Sequence, residues 1–281
     1  ENLVLLDKFL IDKHVLMALE EDIGFGDITT DNLAKEGDVL TAELNTRTDG
    51  VLCGVKVFER VFKLLSEDVE IKFNFKDGDI IKKGDTIAVI KGSADAVLKG
   101  ERTALNYIQR MSGIATETKK YQDAIGDNKA RISDTRKTTP NFRIFEKYSV
   151  FVGGACLHRF NLADCAMIKD NHIKLAGSLT KTVEMIRKNI SHTHKIEVEC
   201  DTLEQVKEAV SCGADIIMLD NMDYDTMKKA VSIIDGKAII EASGNVNLST
   251  VGEIAKTGVD IISSSAIVAK APTLDLALDI E

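Results

Sequence analysis

The chain has 281 residues, of which 44% are hydrophobic and 29% are charged, and its net charge is −9. This length predicts about two domains and is sufficient for a substantial core. The acidic balance argues against nucleic acid or an anionic membrane surface as a partner, because both require a broad basic surface. No apolar run approaches the ~20 residues that would span a bilayer.

The cysteine pattern bears on the cellular compartment. Five cysteines without a CxxC pair predict reduced, buried thiols in a cytoplasmic protein. They are Cys53, Cys156, Cys165, Cys200 and Cys212. The first residues do not follow the pattern of a signal peptide, because acidic side chains interrupt the apolar spacing of an amphipathic helix near Val4–Glu20.

Residues 1–111 predict an N-terminal α+β sandwich domain, in which turn signals separate short apolar runs. The predicted strands are Val39–Leu52, Glu70–Phe75 and Thr86–Ile90, and the predicted helices are Val4–Glu20 and Val55–Leu65. A long helix over Arg102–Ile125 then leads into the second domain. The tail, 272–281, is a candidate for packing on the first domain.

Residues 112–271 predict an α/β barrel that carries the catalytic site. Near-continuous Ile, Val and Met indicate parallel strands covered by helices on both faces. The predicted strands are Arg131–Ser133, Cys165–Ile168, Lys195–Glu199, Asp215–Leu219, Lys237–Ile240 and Val259–Ser263. The predicted helices are Leu179–Asn189, Leu203–Cys212, Tyr224–Ile234 and Leu248–Thr257, with N-cap candidates Ser178, Asp201, Asp223 and Asn247. Six strands, with room for a seventh around Tyr148–Val152, favour an incomplete (β/α) barrel over an open sheet.

The most informative segment is Asp134–Ile173. Five cationic or protonatable side chains stand there at or beside the ends of short apolar runs: Arg136, Lys137, His158, Arg159 and Lys169. Between positions 131 and 172, seven Lys or Arg face four Asp or Glu, a local balance of +3 that leaves −12 for the remainder. Because strand ends form the active site of a barrel, this segment predicts a receptor for a small, highly charged anion. Arg131, Arg143 and Lys147 are expected to be solvated or ion-paired.

The other strand ends carry carboxylates and small polar residues. Glu199 and Asp220 are hard oxygen ligands suited to Mg²⁺ that arrives on a phosphorylated substrate. Glu197 shares a strand face with Glu199, and one of the two is a candidate for a purely structural role. Two small-residue loops follow the last two strands, where barrels commonly bind phosphate on main-chain N–H groups. Their residues are Ser243, Gly244, Asn245, Ser264, Ser265 and Ala266. Together these features predict an enzyme that joins an organic acid to a magnesium-bound phosphosugar.

Long motifs in matching order also carry a family resemblance. They include EEDIGFGDITT, GERTALNYIQRMSGIAT, DTRKTTP, EKYSVFVGGACLHRFNLADCAMIKDNHI, KIEVECDTLEQ, DIIMLDNM and EASGN. With these motifs the chain resembles quinolinate phosphoribosyltransferases, also called nicotinate-nucleotide pyrophosphorylases (carboxylating), nearly end to end. The resemblance implies that quinolinate and phosphoribosyl pyrophosphate are converted to nicotinate mononucleotide, CO₂ and pyrophosphate, in de novo NAD synthesis.

The resemblance implies roles for individual residues as well. Arg102, from GERTALN, would reach the active site of a neighbouring subunit in a homodimer or larger assembly. The other residues assigned to quinolinate are Arg136, Lys137, His158, Arg159 and Lys169, and Thr135 is assigned to substrate binding. Glu199 and Asp220 would hold the ribose hydroxyls and Mg²⁺, together with substrate phosphates and water, and the two small-residue loops would cradle phosphate. Lys137 is expected to be the most rate-sensitive cation.

Four positions depart from the common family form. Asn141, Ala155 and Ser265 stand where the family usually has Gly, and Leu157 stands where it has Asn. Asn tolerates left-handed backbone angles but Ala does so poorly, so we expect the loop at 153–155 to be reshaped. Ser265 adds a side chain where a phosphate is expected to approach the main chain.

Three other functions stay open at this stage. A barrel aldolase or isomerase would form a Schiff base at Lys137 or Lys169, although no clear proton relay accompanies the many cations. A binding paralogue would keep the basic pocket but lose turnover through the altered glycine positions. A phosphoribosyltransferase acting on nicotinate is the closest alternative, but a monoacid needs fewer cations than this segment provides.

Overall fold

The computed structural model describes residues 6–280, which form two compact units. Unit 1 takes the chain up to Glu117, Ile144–Gly153 and the segment from Ala271 onward. Unit 2 takes Thr118–Arg143 and Gly154–Lys270. Within the described residues, the helices are all too short or too polar to cross a membrane.

Unit 1 is built around an antiparallel sheet in the strand order β12-β1-β5-β3. Its strands are β1 (Val39–Thr46), β2 (Gly50–Val51), β3 (Glu70–Phe73), β4 (Ile80–Ile81), β5 (Thr86–Ser93) and β12 (Leu276–Ile280). Its helices are α1 (Lys8–Ile23), α2 (Thr30–Leu33), α3 (Val55–Leu65), the first part of α4 (Ala94–Ile125), and α5 (Arg143–Val152). The tail strand β12 pairs with β1, with Leu278 opposite Leu44. Helix α3 buries one apolar face, and its Phe58 meets Phe73 of β3 edge-on at 6.1 Å between ring centroids.

Helix α1 begins later than the predicted Val4. Its N-cap is Asp7, whose carboxylate accepts a hydrogen bond from the Phe9 N–H. Val4 and Leu5 lie outside the described residues.

Two other predicted elements of unit 1 have different bounds. The single strand predicted over Val39–Leu52 is wrong, because the chain turns after Thr46. The hydroxyl of Thr46 donates to the carbonyl of Thr48 and accepts from its N–H, which competes with strand pairing. The long helix begins at Ala94 instead of Arg102. Gly100, a poor helix former, lies inside it because an added Cβ would approach the ring of Phe62 to 2.8 Å.

Unit 2 is a parallel sheet with helices between its strands. Its strands are β6 (Arg131–Ser133), β7 (Cys165–Ile168), β8 (Lys195–Cys200), β9 (Ile216–Asp220), β10 (Ile239–Ser243) and β11 (Ile261–Ser263). Its other helices are α6 (Asp170–Ala176), α7 (Leu179–Asn189), α8 (Leu203–Ser211), α9 (Tyr224–Ile234), α10 (Val251–Ala255) and α11 (Ala266–Ala269). The strand order is β6-β11-β10-β9-β8-β7, so consecutive strands are neighbours in a ring that is open between β6 and β7. The predicted incomplete (β/α) barrel is confirmed.

The seventh strand predicted around Tyr148–Val152 is wrong, since this segment is the end of helix α5. Its aromatic and β-branched residues favour a strand by composition. Burial nevertheless recurs at helical spacing, at Phe145, Ser149 and Val150. Lys147 of the same helix is fully buried, so a solvated position is wrong for it.

Of the four helices predicted in unit 2, three begin at a residue whose side chain caps the helix. Ser178 and Asp223 are confirmed as N-caps, because their side chains accept the N–H groups of Lys181 and Thr226. The prediction of Asp201 is wrong by one residue, since Thr202 caps α8 through a capping box with Gln205. Asn247 is also wrong. Its side chain accepts the Ser249 N–H within a turn, and α10 begins after Thr250.

Candidate functional site

A cavity of about 730 Å³ opens at the carboxyl ends of the unit 2 strands. All of the site residues predicted in unit 2 line it: Thr135, Arg136, Lys137, His158, Arg159, Lys169, Glu199, Asp220, Ser243, Gly244, Asn245, Ser264, Ser265 and Ala266. Arg102 is the exception. It lies on α4 in unit 1, its side chain is exposed, and it is not among the residues that line this cavity.

One side of the cavity is the cation wall, formed by Arg136, Lys137, His158, Arg159 and Lys169. Burial, followed by the nearby charges of Arg159 and Arg143, lowers the pKa of Arg136 from its ordinary value. Like charges close enough to oppose one another's protonation need an anion to offset them. The wall therefore has the electrostatics of an anion site.

Hydrogen bonds to the main chain hold the wall in shape. The guanidinium of Arg159 donates to the Cys165 carbonyl at 2.8 Å, and the Lys137 N–H donates to the Thr135 hydroxyl at 3.0 Å. Arg143, expected to be solvated or ion-paired, instead donates to the Thr138 hydroxyl and to the Phe160 carbonyl, at 2.9 and 2.8 Å. It thereby ties together the two loops that carry most of the wall.

His158 lies at the base of the wall, with both ring nitrogens in contact with protein. Nδ1 accepts the main-chain N–H of Arg159 at 2.9 Å, and Nε2 lies 3.2 Å from Oε2 of Glu241. Burial lowers the pKa of His158, but its contacts with Glu197 and Glu241 outweigh burial and raise the pKa to about 10. The Arg159 N–H favours the neutral ring, because an imidazolium has no acceptor at Nδ1. This geometry therefore belongs to the neutral ring, which becomes an imidazolium only where that bond breaks.

The two carboxylates beneath His158 share a buried environment. Burial, together with the charge of Glu241 and against the contact with His158, raises the pKa of Glu197 to about 7. Burial also acts to raise the pKa of Glu241, but the contacts with His158 and Glu197 outweigh it and lower that pKa. Up to about neutral pH, a proton therefore remains on Glu197.

Glu199 and Asp220 face the cation wall from neighbouring strands. A carboxylate oxygen of Glu199 lies 3.1 Å from Nζ of Lys169. Burial, followed by the charges of Glu199 and Asp201, raises the pKa of Asp220. Two carboxylates on neighbouring strands that both line the cavity form a suitable donor set for a hard divalent cation.

The loop after β10 is shaped by close main-chain packing. Gly244 has φ +91°, and a Cβ at this position would collide with the side-chain amide of Asn221. Asn221 and Asn245 also have left-handed angles, with φ of 51° and 50°. This loop leaves small residues at the cavity surface, as a phosphate cradle requires.

The residues that differ from the common family form adopt different backbone angles. Asn141 adopts φ 62°, a left-handed angle that Asn tolerates and Gly also allows. In the 153–155 loop the positive φ falls on Gly154, at 101°, so Ala155 is not strained. Ser265 lines the cavity with an ordinary helical φ of −75°.

Several lining residues received no individual role from the sequence, although Asn221, Glu241 and Ser263 stand at predicted strand ends. They include Met167, Met218, Asn221, Glu241, Val246, Asn247, Ser263 and Lys270. Glu241 carried a usable signal, since it stands beside the predicted end of a barrel strand like Glu199 and Asp220. Lys270 carried none, because it follows a four-residue helix that the sequence did not predict.

Comparisons with known proteins bear directly on this architecture. The family model described as the C-terminal domain of quinolinate phosphoribosyl transferase matches residues 114–279, and the model of the N-terminal domain matches residues 27–112. The chain belongs to the quinolinate phosphoribosyltransferase family. The resemblance seen in the sequence motifs is thus confirmed.

Individual relatives of this family match over nearly their whole length. A probable nicotinate-nucleotide pyrophosphorylase (carboxylating) from Synechocystis is 43% identical over 274 residues, covering 96% of this chain and 92% of the relative. The Bacillus subtilis protein of the same name is 41% identical over 260 residues, covering 92% and 90%. The crystal structure of NadC from Streptococcus pyogenes superposes with a TM-score of 0.96 at 40% identity, covering 98% of each chain.

Proposed function

We propose that the protein transfers the phosphoribosyl group of phosphoribosyl pyrophosphate to the ring nitrogen of quinolinate, with decarboxylation, in NAD biosynthesis. The products are nicotinate mononucleotide, pyrophosphate and CO₂. Family membership supports this function, and the observation that carries it is the single cavity that the cation wall lines together with Glu199 and Asp220. The wall suits a dianionic acid, and the opposite side suits a metal-bound phosphosugar.

The reaction depends mainly on how charged side chains are placed around the substrates. Quinolinate is a dianion, and the cation wall binds and orients it. The pyridine nitrogen attacks the anomeric carbon as the bond to pyrophosphate breaks. The alkylated ring is then a cation, so it stabilises the electron pair left on C2 when the 2-carboxylate leaves as CO₂. C2 then takes up a proton from solvent, which gives nicotinate mononucleotide. Lys137 is assigned the largest share of transition-state stabilisation, because it is exposed to the cavity on a short, hydrogen-bonded loop.

Glu199 and Asp220 would hold Mg²⁺ together with phosphates of the substrate and water. Both carboxylates line the cavity, and burial together with the charge of Glu199 raises the pKa of Asp220, which a bound cation would offset. Bound Mg²⁺ would offset charge on the leaving pyrophosphate. The same carboxylates accept hydrogen bonds from the ribose hydroxyls, and the loops at 243–245 and 264–266 bind phosphate.

A homodimer or larger assembly would supply Arg102 to the cavity of a neighbouring copy. Arg102 is exposed on α4, one turn after the partly exposed Leu98. Large apolar side chains of unit 1 are also exposed, including Phe9, Phe25 and Ile28 at 71%, 115% and 85%. Large apolar side chains exposed in unit 1 support the proposal of an association surface there.

A cytoplasmic location is part of the proposal. All five cysteines are free thiols, and Cys53 and Cys200 are fully buried. Unpaired thiols in this number are typical of reducing compartments.

The reaction is tested with carboxyl-labelled quinolinate. We expect labelled CO₂ to be released only when phosphoribosyl pyrophosphate and Mg²⁺ are both present, with nicotinate mononucleotide formed in equal amount. Turnover of nicotinate in place of quinolinate would contradict the substrate assignment. A borohydride-trapped substrate adduct at Lys137 or Lys169 would instead support Schiff-base chemistry.

The shared site is tested by subunit complementation. Arg102→Ala and Lys137→Ala are each expected to be nearly inactive. Refolded together, they should recover about a quarter of wild-type activity, because half of the dimers are mixed and one of their two sites is intact. If Arg102 acted within its own subunit, the mixture would stay inactive.

A further inference from the structure

At the base of the cation wall, His158 stands against two buried carboxyl groups to which the proposed reaction gives no task. His158 contacts Glu197 of β8 and Glu241 of β10, which are 1% and 2% exposed. Its Nε2 lies 3.2 Å from Oε2 of Glu241, in hydrogen-bonding geometry. It lies 3.4 Å from Oε2 of Glu197, at ion-pair distance only.

The cluster is unfavourable for folding. Both oxygens of Glu197 and Oε1 of Glu241 are buried without a hydrogen-bond partner among residues 6–280. Taking a carboxylate out of water is costly, and apolar residues of similar volume commonly give an equal or more stable fold. Stability therefore does not account for two carboxylates at this position, and a task in the site is the better explanation.

The tautomer of His158 shows what that task is. Because Nδ1 accepts the main-chain N–H of Arg159, Nδ1 is unprotonated and Nε2 carries the proton. A protonated Nε2 donates to Glu241 and is not free to ligate a metal, even though His158, Glu197 and Glu241 could otherwise surround a cation.

The ring thus connects the buried carboxylates to the cation wall. The His158 N–H donates to Oδ1 of Asp134 at 2.9 Å, which fixes the main chain beneath the ring. The guanidinium of Arg159, the next residue, is aimed by its bond to the Cys165 carbonyl. Rotation of the imidazole would break its bonds to Glu241 and to the Arg159 N–H together.

We propose that Glu241, with Glu197 beside it, is a positioning residue for quinolinate binding. Glu241 holds the imidazole of His158, and the imidazole holds the main chain of Arg159 in the orientation that presents its guanidinium to the dicarboxylate. This inference rests on the proposed function and adds a buried carboxylate layer to that same site.

The test compares Glu241→Leu with Glu241→Gln in steady-state kinetics. Leu roughly keeps the volume but removes the acceptor, so we expect KM for quinolinate to rise ~10-fold or more while kcat changes less than about 3-fold. KM for phosphoribosyl pyrophosphate should stay within about 2-fold of wild type. Gln retains a carbonyl acceptor for the Nε2–H, so its KM for quinolinate should stay within about 3-fold. The Leu variant should melt at or above the wild-type temperature.

Nitrogen NMR of the imidazole supplies a readout that a purely structural role would not move. We expect a hydrogen-bonded Nε2–H of His158 in the wild type and in Glu241→Gln, and the loss of that hydrogen bond in Glu241→Leu. Glu146→Gln is the matched control. It alters another fully buried glutamate, bonded to Arg110 in unit 1, and should lower stability without changing either KM.

Three outcomes would overturn the inference. They are an unchanged KM for quinolinate in the Leu variant, an equal rise in both KM values, and a stoichiometric metal in the wild type that the Leu variant loses. A wild-type enzyme without turnover of quinolinate would instead contradict the proposed function, so the two failures are distinguishable.

Discussion

The two sides of the cavity are built in different ways. The carboxylate side, formed by Glu199, Asp220 and Glu241, stands on the neighbouring strands β8, β9 and β10. Glu199 and Glu241 are both in register with Met218 of the strand between them, so they lie at the same level of the sheet.

The cation wall has no such framework. Arg136 and Lys137 follow β6 in a loop, His158 and Arg159 lie in an irregular segment, and Lys169 is the N-cap of α6. Bonds from side chains to the main chain hold these positions in place of a strand ladder. Sheet register thus places the anionic groups, whereas loops place the cationic groups. Substitutions on the two sides should therefore change different kinetic constants.

The largest expected effect is on the cation wall. Lys137→Ala should lower kcat/KM at least ~10²-fold, the scale of removing one electrostatic stabiliser of a transition state. Labelled CO₂ release measures it, and near-normal turnover would refute the assigned role. Melting should be unchanged, because the Lys137 side chain is exposed.

On the carboxylate side, Glu199→Gln should weaken the phosphosugar complex. We expect KM for phosphoribosyl pyrophosphate and the Mg²⁺ requirement to rise about 10-fold or more, since one hard ligand is lost. KM for quinolinate should change little. The exposed neighbour Asp201→Asn is the matched control, and an equal effect there would show that general negative charge, not ligation, matters.

A smaller effect is expected from loosening the loops behind the wall. Arg143→Ala removes the bonds to Thr138 and to the Phe160 carbonyl, so KM for quinolinate should rise about 5-fold or more without loss of any wall cation. Arg131→Ala, at the exposed start of β6, should leave KM unchanged. Equal KM values in the two variants would contradict the bracing role.

The smallest effect concerns stability and pH. Because burial raises the pKa of Glu197 from 4.5 to about 7, the folded state holds a proton that the unfolded state releases. Stability from this group is therefore complete below pH 4.5 and is lost as the pH rises through about 7. Relative to Glu197→Gln, the wild type should lose about 2 °C or more of melting temperature between pH 5 and 8. A constant difference would contradict a pKa of about 7 for Glu197 in the folded state.

The sequence predicted the barrel strands well because their apolar runs are nearly continuous and each ends at a polar residue. It failed where composition and period disagree, as at Tyr148–Val152, and where a glycine stands inside a helix, as at Gly100. The site residues of unit 2 were predictable because strand ends meet at one edge of a parallel sheet. Lys270 was not, because a four-residue helix that the sequence did not predict brings it to the cavity.

By itself, the sequence determined the family, the barrel and the identity of the charged groups, since these depend on local apolar period and on motif order. The tertiary structure decided which of those groups meet and in what state. Glu241 shows the reason. A strand pattern predicts only which face of the sheet a carboxylate is on. The contact of Glu241 with the imidazole of His158, 83 residues away in the chain, forms only once the strands are packed, and only then do the two side chains share a proton.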